Sequence, residues 1–198
     1  MVDSMERIKT WVKREWLPGL PGESVLDVGC ANASYCPFFT RIKQMEYVGC
    51  DNDMDMLRRA REDNPDADIQ YGALPDLPFA DSSFDLVFCA RLLHHFADQE
   101  PILRVLHRIA RRYIVVHIRS HIADDTTTPI CFRGTHYEVV RWNPLVQTRK
   151  MVAKLAAELG WNRHLKEIPI EEHIVAVGDY PGPDGEVTCV DPFYVMRL

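Results

Sequence analysis

The segment that most constrains the fold is residues 24–34, where an apolar run ends in an acidic residue and several very small residues follow. The run contains Val25, Leu26 and Val28, and these side chains predict a short buried strand. After Gly29 the side chains are those of cysteine, alanine, asparagine and serine. Such residues suit a turn that lets a ligand approach the backbone and then opens a helix whose free N–H groups face the ligand. The segment therefore predicts a nucleotide-type cofactor turn.

A second apolar strand also ends in an acidic residue. Residues 47–50 are Tyr-Val-Gly-Cys, and Asp51 follows them, 22 residues after Gly29. A carboxylate at the tip of the second strand of a dinucleotide-type fold accepts hydrogen bonds from both ribose hydroxyls. Asp53 is suited to cap a helix over 54–62, which is expected to end before Pro65. The spacing predicts that Asp51 binds a ribose.

The glycine pattern of the turn separates two classes of cofactor. A nicotinamide fingerprint requires glycine at three positions, and this chain has Gly29, Ala31 and Ser34 there. A nicotinamide-dependent oxidoreductase therefore remains an alternative that satisfies one glycine of the three. The observed order is an acid, any residue, glycine, and then small residues at alternate positions, which favours a different family.

Two later segments complete a set of four motifs. Residues 72–79 are Gly-Ala-Leu-Pro-Asp-Leu-Pro-Phe, residues 84–89 are Phe-Asp-Leu-Val-Phe-Cys, and residues 93–96 are Leu-His-His-Phe. Together with the turn and Asp51, these motifs resemble the class I S-adenosylmethionine-dependent methyltransferases, in their small-molecule branch. The order and spacing of all four motifs carry the resemblance.

The resemblance implies an α/β fold, a three-layer sandwich with helices on both faces of a seven-stranded, mostly parallel sheet. The last two strands are expected to form an antiparallel C-terminal hairpin, with one strand in 165–177 and the other in 187–196. Asn143-Pro144 predicts the start of a helix that ends before Gly160. The segment 119–142 shows no clear periodicity, and it is expected to be a loop that forms a substrate-side insertion.

The resemblance also implies S-adenosyl-L-methionine as cofactor. Asp27 would orient its amino end, Gly29 would allow close approach of the backbone, and Asp51 would hold the ribose. The full cofactor site implied by the resemblance consists of Asp27, Gly29 and Cys30 at the turn, Asp51 and Asn52 at the ribose, Ala73 and Leu74 at the adenine, and Cys89 and Ala90 at the methionine part.

Three alanines depart from the pattern of the family. Ala31 and Ala33 occupy positions where the family usually has glycine, and Ala73 occupies a position where an aspartate usually accepts from the adenine amino group. An alanine held at positive φ is strained by about 1 kcal/mol. These departures keep open a second alternative, a non-catalytic S-adenosylmethionine-binding or regulatory protein.

The expected reaction is methyl transfer to an oxygen, nitrogen or carbon nucleophile of a small molecule. The methyl group is already activated, so the protein chiefly supplies alignment and, in some cases, a base. His94 and His95 follow the fourth predicted strand and are the candidate bases. In the alternative interpretation, one of them packs under the loop and the other faces solvent. No metal site is expected, because no regular element is predicted to hold the histidines and aspartates between residues 117 and 125.

Cysteine usage argues against a disulfide framework or a zinc knuckle. The chain has 6 cysteines, spread singly and without a CxxC pair. Cys30, Cys50 and Cys89 each end a predicted strand, and all three are expected to be small buried residues near one rim of the sheet.

Composition limits the class of protein and its partners. With 198 residues and 46% hydrophobic residues, residues 1–198 are expected to form a single domain, in which 1–23 are an N-terminal helix and a linker. The net charge of −6 and the lack of a dense basic block argue against a broad nucleic-acid or anionic-membrane surface. No apolar run reaches membrane-spanning length, so a cytoplasmic protein is expected. The methyl acceptor and the oligomeric state do not follow from the sequence.

Overall fold

The computed structural model describes residues 22–117, 120–123, 129–133, 136–139, 144–160, 166–168, 173–176, 186–190 and 193–198. The predicted N-terminal helix and most of its linker lie outside these residues. Parts of the 119–142 segment and of the predicted C-terminal hairpin also lie outside them.

Strands predominate in this part of the chain. The strands are β1 Ser24–Val28, β2 Glu46–Asp51, β3 Asp68–Tyr71, β4 Phe84–Ala90, β5 Ala110–His117, β6 Ser120–Ala123, β7 Pro129–Arg133, β8 His136–Val139, β9 Lys166–Ile168, β10 His173–Ala176, β11 Glu186–Val190 and β12 Phe193–Arg197. The helices are α1 Met54–Asp63, α2 Glu100–Ile109 and α3 Pro144–Leu159, together with a π-helix, Phe38–Ile42, and a 3-10 helix, Leu93–His95.

The main sheet has the strand order β3-β2-β1-β4-β5-β12-β9. Its first five strands are parallel. β12 runs antiparallel to both of its neighbours, β5 and β9. The α/β fold with a parallel sheet is therefore confirmed, and the parallel part consists of five strands.

The C-terminal hairpin differs from the prediction, because each of its two expected strands is divided. β9 pairs with β12 in the main sheet, whereas β10 pairs with β11 in a second sheet. The prediction of one hairpin that completes a seven-stranded sheet is wrong in this respect. An apolar pattern shows which residues can face a core but not which sheet they join. Pro192, between β11 and β12, was the available signal, since proline cannot donate to a ladder.

The second sheet has the order β10-β11-β6-β7-β8, and all of its pairings are antiparallel. β6, β7 and β8 lie in the segment 119–142, for which a loop was expected. That expectation is wrong for the described parts of the segment. The strands have only four or five residues each, and β6 pairs with β11 from the far end of the chain. Such short, non-local pairing leaves little periodicity in the sequence.

Apolar side chains cover both faces of the main sheet, because successive strand residues point to opposite faces. On one face, Leu26 and Val28 belong to a buried cluster that includes side chains of α2 and α3. On the other face, Val25 and Phe88 belong to a cluster that includes side chains of the π-helix and α1. The helices therefore lie on both faces, as expected for a three-layer sandwich.

The predicted helix ends agree with the structure. The Asp53 carboxylate accepts from the N–H groups of Asp55 and Met56 and caps α1. α3 begins at Pro144, and Gly160, with φ of 81°, follows its end. Among the described residues, no helix has both the length and the apolar character that crossing a membrane requires.

Candidate cofactor site

The candidate site lies at the carboxyl ends of β1, β2 and β4. These strands are parallel, so their ends meet at one edge of the sheet. The chain passes from β1 outward to β2 and β3 and then crosses to β4 on the other side of β1. In open α/β sheets, ligands bind at such a switch point, outside the carboxyl ends of the strands. The structure therefore brings the turn after β1, Asp51 and Ala90 to the same edge.

The turn after β1 has three residues in the left-handed region. Gly29, Ala31 and Ala33 have φ of 74°, 48° and 54°. The N–H groups of Gly29 and Cys30 donate to the Cys50 carbonyl oxygen at 2.8 and 3.1 Å, which ties the turn to the end of β2. Ala31 and Ala33, at positions where the family usually has glycine, thus adopt a backbone conformation that is strained for alanine. The backbone thus forms the glycine-type turn without two of the glycines.

Gly29 meets a second constraint besides its φ. A Cβ built on Gly29 would lie 2.8 Å from Leu92 Cδ2, which is closer than real Cβ contacts. Leu92 belongs to the loop after β4. The absence of a side chain at Gly29 therefore lets the two loops on either side of the switch point approach each other closely. Any side chain at position 29 would displace Leu92 as well as strain the turn.

Asp51 organises the end of β2. One carboxylate oxygen accepts from the Ala31 N–H at 2.8 Å, and the other accepts from the Asp53 N–H at 2.9 Å. The side chain is half-buried, whereas Asn52 is exposed. Each carboxylate oxygen can accept more than one hydrogen bond, so Asp51 keeps acceptor capacity for hydroxyl donors.

Ala73 and Leu74 lie beside Asp51. The Gly72 N–H donates to the Asp51 carbonyl oxygen at 3.0 Å, which holds the segment after β3 against the end of β2. Ala73 and Leu74 are both half-buried. A Cβ on Gly72 would lie 2.6 Å from Cys50 Sγ, so glycine permits this close approach.

Asp27 is buried, with 2% of its surface exposed. The Tyr47 hydroxyl donates to Asp27 Oδ2 at 2.8 Å. Burial raises the pKa of Asp27 to about 7, the Tyr47 hydrogen bond opposes that rise, and the negative charge of Asp51 adds to it. Sequence reasoning missed Tyr47, because an aromatic residue in a predicted strand gives no signal of a polar partner.

The cysteines of this region behave as buried apolar residues. Cys30, Cys50 and Cys89 are buried free thiols, as predicted. Burial raises the pKa of Cys50 to about 12 and also raises those of the other two thiols. Cys89 is fully buried, and its side chain belongs to the core cluster that contains α2. Its backbone, with that of Ala90, is the part that can border a ligand.

His94 and His95 lie in the 3-10 helix that follows β4. His94 is buried, with 5% of its surface exposed, and His95 is half-buried. Their ring centroids lie 4.1 Å apart. The two rings therefore form a contiguous pair in the helix that follows β4, with His95 the more accessible.

No set of three or more potential metal ligands is found among the residues that the structure describes. His117 ends β5 and is fully buried. His121 lies in β6, and Asp124 and Asp125 lie outside the described residues.

Comparison with known proteins identifies the class. Residues 26–113 match the family of the methyltransferase domain. This segment contains all of the predicted cofactor residues from Asp27 to Ala90. The fold, the site and the match over residues 26–113 together support a class I S-adenosylmethionine-dependent methyltransferase.

Two curated relatives and one solved structure illustrate the match. 27-O-demethylrifamycin SV methyltransferase of Amycolatopsis mediterranei is 28% identical over 101 residues, covering 48% of this chain and 37% of that protein. Probable tRNA methyltransferase 9B of Mus musculus is 30% identical over 91 residues, covering 46% of this chain and 19% of that protein. The S-adenosylmethionine-dependent methyltransferase of Mesorhizobium loti, 17% identical, superposes with a TM-score of 0.57 over 94% of this chain and 96% of that one.

The curated matches are partial. The chain covers less than half the length of the relatives named here. The similarity to the solved structure extends over almost the whole chain but is a similarity of fold.

Proposed function

We propose that this chain is an enzyme that transfers the methyl group of S-adenosylmethionine to a small-molecule acceptor. The observation that carries the proposal is the hydrogen bond from the Ala31 N–H to the Asp51 carboxylate. It joins the turn after β1 to the acidic tip of β2, so that a tight turn of small residues and the carboxylate proposed to bind the ribose lie side by side. A nucleoside with a charged amino-acid tail requires both.

The residues of the site fit this cofactor. Asp51 keeps acceptor capacity for the two ribose hydroxyls. Half-buried Ala73 and Leu74 offer an apolar border for the adenine ring, and exposed Asn52 can add a polar contact at the ribose. Asp27 provides a carboxyl group next to the turn, which suits a cofactor that carries positive charge.

Bound S-adenosylmethionine supplies a methyl group activated by the positive charge on sulfur. The task of the protein is then to hold cofactor and acceptor in line and to limit water. Asp51 would hold the ribose, and the Gly29 backbone would allow close approach of the amino-acid part near Asp27. The backbone of Cys89 and Ala90 borders the same part from the side of β4.

A small-molecule acceptor is supported by charge. The chain has 23 lysine and arginine residues against 29 aspartate and glutamate residues. Binding of nucleic acid depends on basic side chains that neutralise phosphates. The rifamycin methyltransferase named above is a relative whose acceptor is a small molecule.

A tRNA acceptor is the second candidate, favoured by the similarity to a probable tRNA methyltransferase. The two candidates are separated by measuring release of S-adenosylhomocysteine with panels of small hydroxy, amino and carboxylic acids and with bulk tRNA. Turnover on tRNA that falls steeply with salt, together with none on small molecules, would overturn the small-molecule assignment.

The cofactor assignment is tested with Asp51→Ala and the control Asp53→Ala. Loss of the Asp51 carboxylate should weaken the binding of S-adenosylmethionine by about 1.5–3 kcal/mol, the range for hydrogen bonds to a charged group. Asp53→Ala removes the α1 cap and should lower stability by about 1 kcal/mol, with little effect on affinity. Calorimetric titration measures both affinities.

Each outcome of this test has a distinct meaning. Equal affinities for wild type and Asp51→Ala would reject the ribose role of Asp51. Tight binding of a nicotinamide cofactor with none of S-adenosylmethionine would favour the oxidoreductase alternative. Cofactor binding without turnover on any acceptor would favour the non-catalytic alternative.

His94 and His95 are proposed to position the acceptor or to take its proton during methylation. The contact between their rings, and their place in the 3-10 helix that follows β4, support this role. His95→Ala is expected to lower turnover at pH 8 by at least about tenfold, the weak end of general-base effects. His94→Ala, at the buried position, should lower stability as well. If neither variant lowers turnover by that factor at pH 6 or pH 8, histidine catalysis is rejected.

A further inference from the structure

The Asp27 carboxyl group is held by a side chain from the neighbouring strand. β1 and β2 are in parallel register, with Val25 beside Tyr47 and Asp27 beside Gly49. Tyr47 is therefore two residues away from the position opposite Asp27, on the same face of the sheet. Its hydroxyl nevertheless reaches Asp27 Oδ2 at 2.8 Å.

Gly49 makes this reach possible. A Cβ built on Gly49 would lie 3.1 Å from Tyr47 Cε1 and 3.0 Å from Cys30 Sγ. The missing side chain leaves the space that the Tyr47 ring occupies on its way to Asp27. The ring is also stacked against Phe39, with centroids 6.2 Å apart and planes at 27°. Tyr47 is thus fixed by packing as well as by its hydrogen bond.

Among the described residues, no cation is a cause of the Asp27 pKa shift, which burial, the Tyr47 hydrogen bond and Asp51 determine. Within the described part of the chain, the titratable groups that interact with it electrostatically include Tyr47, Cys50 and Asp51 of β2, Cys30 and Cys36 of the turn and the segment after it, and Cys89 of β4. All of these groups are neutral or acidic. A buried carboxyl group with a phenol as its hydrogen-bond donor is poorly stabilised in its charged form, so a nearby cation would favour loss of its proton.

We propose that Tyr47 is a positioning residue for Asp27, and that binding of the positively charged cofactor at the turn is accompanied by release of the proton that Asp27 carries in the free protein. This inference rests on the proposed function. The proton leaves the Asp27 carboxyl group for solvent, the Tyr47 O–H continues to donate to the resulting carboxylate, and the cofactor ammonium balances the new negative charge. Cofactor affinity therefore rises with pH through neutrality.

The proton is counted by calorimetric titration with S-adenosylhomocysteine, which keeps the amino-acid end of the cofactor, in two buffers of different ionisation enthalpy. Since the pKa of free Asp27 is about 7, wild type should release about half a proton per site at pH 7. Its affinity should rise roughly five- to tenfold from pH 6 to pH 8. Asp27→Asn should lose both effects, and any proton that comes from the ligand itself remains in that variant and is subtracted.

Tyr47→Phe separates positioning from simple packing. It keeps the stacked ring but removes a hydrogen bond that lowers the Asp27 pKa, so its proton release should shift to higher pH than in wild type. Tyr113→Phe, a half-buried tyrosine of the same core face, is the matched control and should behave as wild type. Binding without net proton release, or identical profiles for Tyr47→Phe and wild type, would overturn the inference alone. Failure to bind either S-adenosylhomocysteine or S-adenosylmethionine would instead reject the proposed function, and the inference with it.

Discussion

The Ala31 N–H and the Asp51 carboxylate are joined by a 2.8 Å hydrogen bond across the ends of β1 and β2. A hydrogen bond to a charged acceptor contributes about 1.5–3 kcal/mol. An alanine in the left-handed region is strained by about 1–2 kcal/mol. The two magnitudes are similar, so the Asp51 bond can offset the strain at Ala31. This relationship explains how the turn keeps a glycine-type backbone with alanine in place.

Ala31→Gly should be neutral or stabilising, by up to about 1 kcal/mol. Ala31 has φ of 48°, and glycine relieves the strain there, although it also adds entropy to the unfolded chain. Ala67→Gly is the matched control, since Ala67 is also half-buried but lies outside the left-handed region. The free energy of unfolding of the Ala67→Gly control should fall by about 0.5–1 kcal/mol. Urea unfolding of both variants measures the difference, and an equal loss in both would contradict the strain argument.

Much of the cofactor half of the molecule could be predicted from the sequence. β1, β2 and β4 are largely apolar segments, as is typical of strands buried on both faces. The turn could be predicted because small residues follow Gly29 directly, and Asp51 because its distance from Gly29 is set by one βαβ unit. Asp53 and Pro144 mark helix starts by local chemistry alone. In each case the signal is local or lies within one βαβ unit.

The parts that could not be predicted depend on distant partners. β6, β7 and β8 are strands because of pairings that begin with β11 near the end of the chain. The division of the C-terminal hairpin between two sheets has the same origin. The Tyr47–Asp27 hydrogen bond depends on the empty position at Gly49, a steric fact that exists only once β1 and β2 are in register.

Asp85→Asn should be strongly destabilising at neutral pH, by about 2–3 kcal/mol. Asp85 is buried and accepts from the Glu23 N–H at 2.8 Å and from Arg111 at 3.0 Å. Burial raises the Asp85 pKa, but these hydrogen bonds and the charges of Arg111 and Arg112 outweigh burial, so the pKa lies below its usual value. The contribution of the carboxylate is therefore complete above about pH 4, and it is lost as pH falls through the lowered pKa.

The check on Asp85 is urea unfolding at pH 7 and below pH 4. The difference in the free energy of unfolding between wild type and Asp85→Asn should be smaller at the lower pH. Asp81→Asn is the control, because Asp81 pairs with Arg108 at 2.9 Å but is 77% exposed. Its loss should stay below about 1 kcal/mol. A difference for Asp85→Asn that does not change with pH would show that packing, not charge, carries its effect.

The attachment of α3 should depend on its apolar face more than on its ion pairs. Leu155 is fully buried, and Leu155→Ala should lower the free energy of unfolding by about 2–4 kcal/mol. Lys154 binds Glu100 of α2 at 2.6 Å, but half of its side chain is exposed, so Lys154→Ala should lose less than about 1 kcal/mol. Thermal or urea unfolding ranks the two variants. A larger loss for Lys154→Ala, persisting in high salt, would contradict this ranking.

Asp27→Asn should stabilise the free protein while weakening cofactor binding. Burial raises the Asp27 pKa from 3.8 to about 7, so the unfolded chain loses this proton at a lower pH than the native protein does. Wild type consequently loses stability as pH rises from about 4 to 7, whereas the neutral asparagine does not. At pH 8 the variant should be more stable by about 2–4 kcal/mol, and near pH 4 the two proteins should be equal. The Tyr47 hydroxyl can still donate to the amide oxygen, so packing is preserved.

Urea unfolding at pH 4, 6 and 8, paired with titration of S-adenosylhomocysteine, measures both the stability and the cofactor affinity of Asp27→Asn. If Asp27→Asn is less stable than wild type at pH 8, Asp27 is charged and well stabilised in the free protein. The Asp27 carboxylate then does not lower the stability of the protein in exchange for ligand binding.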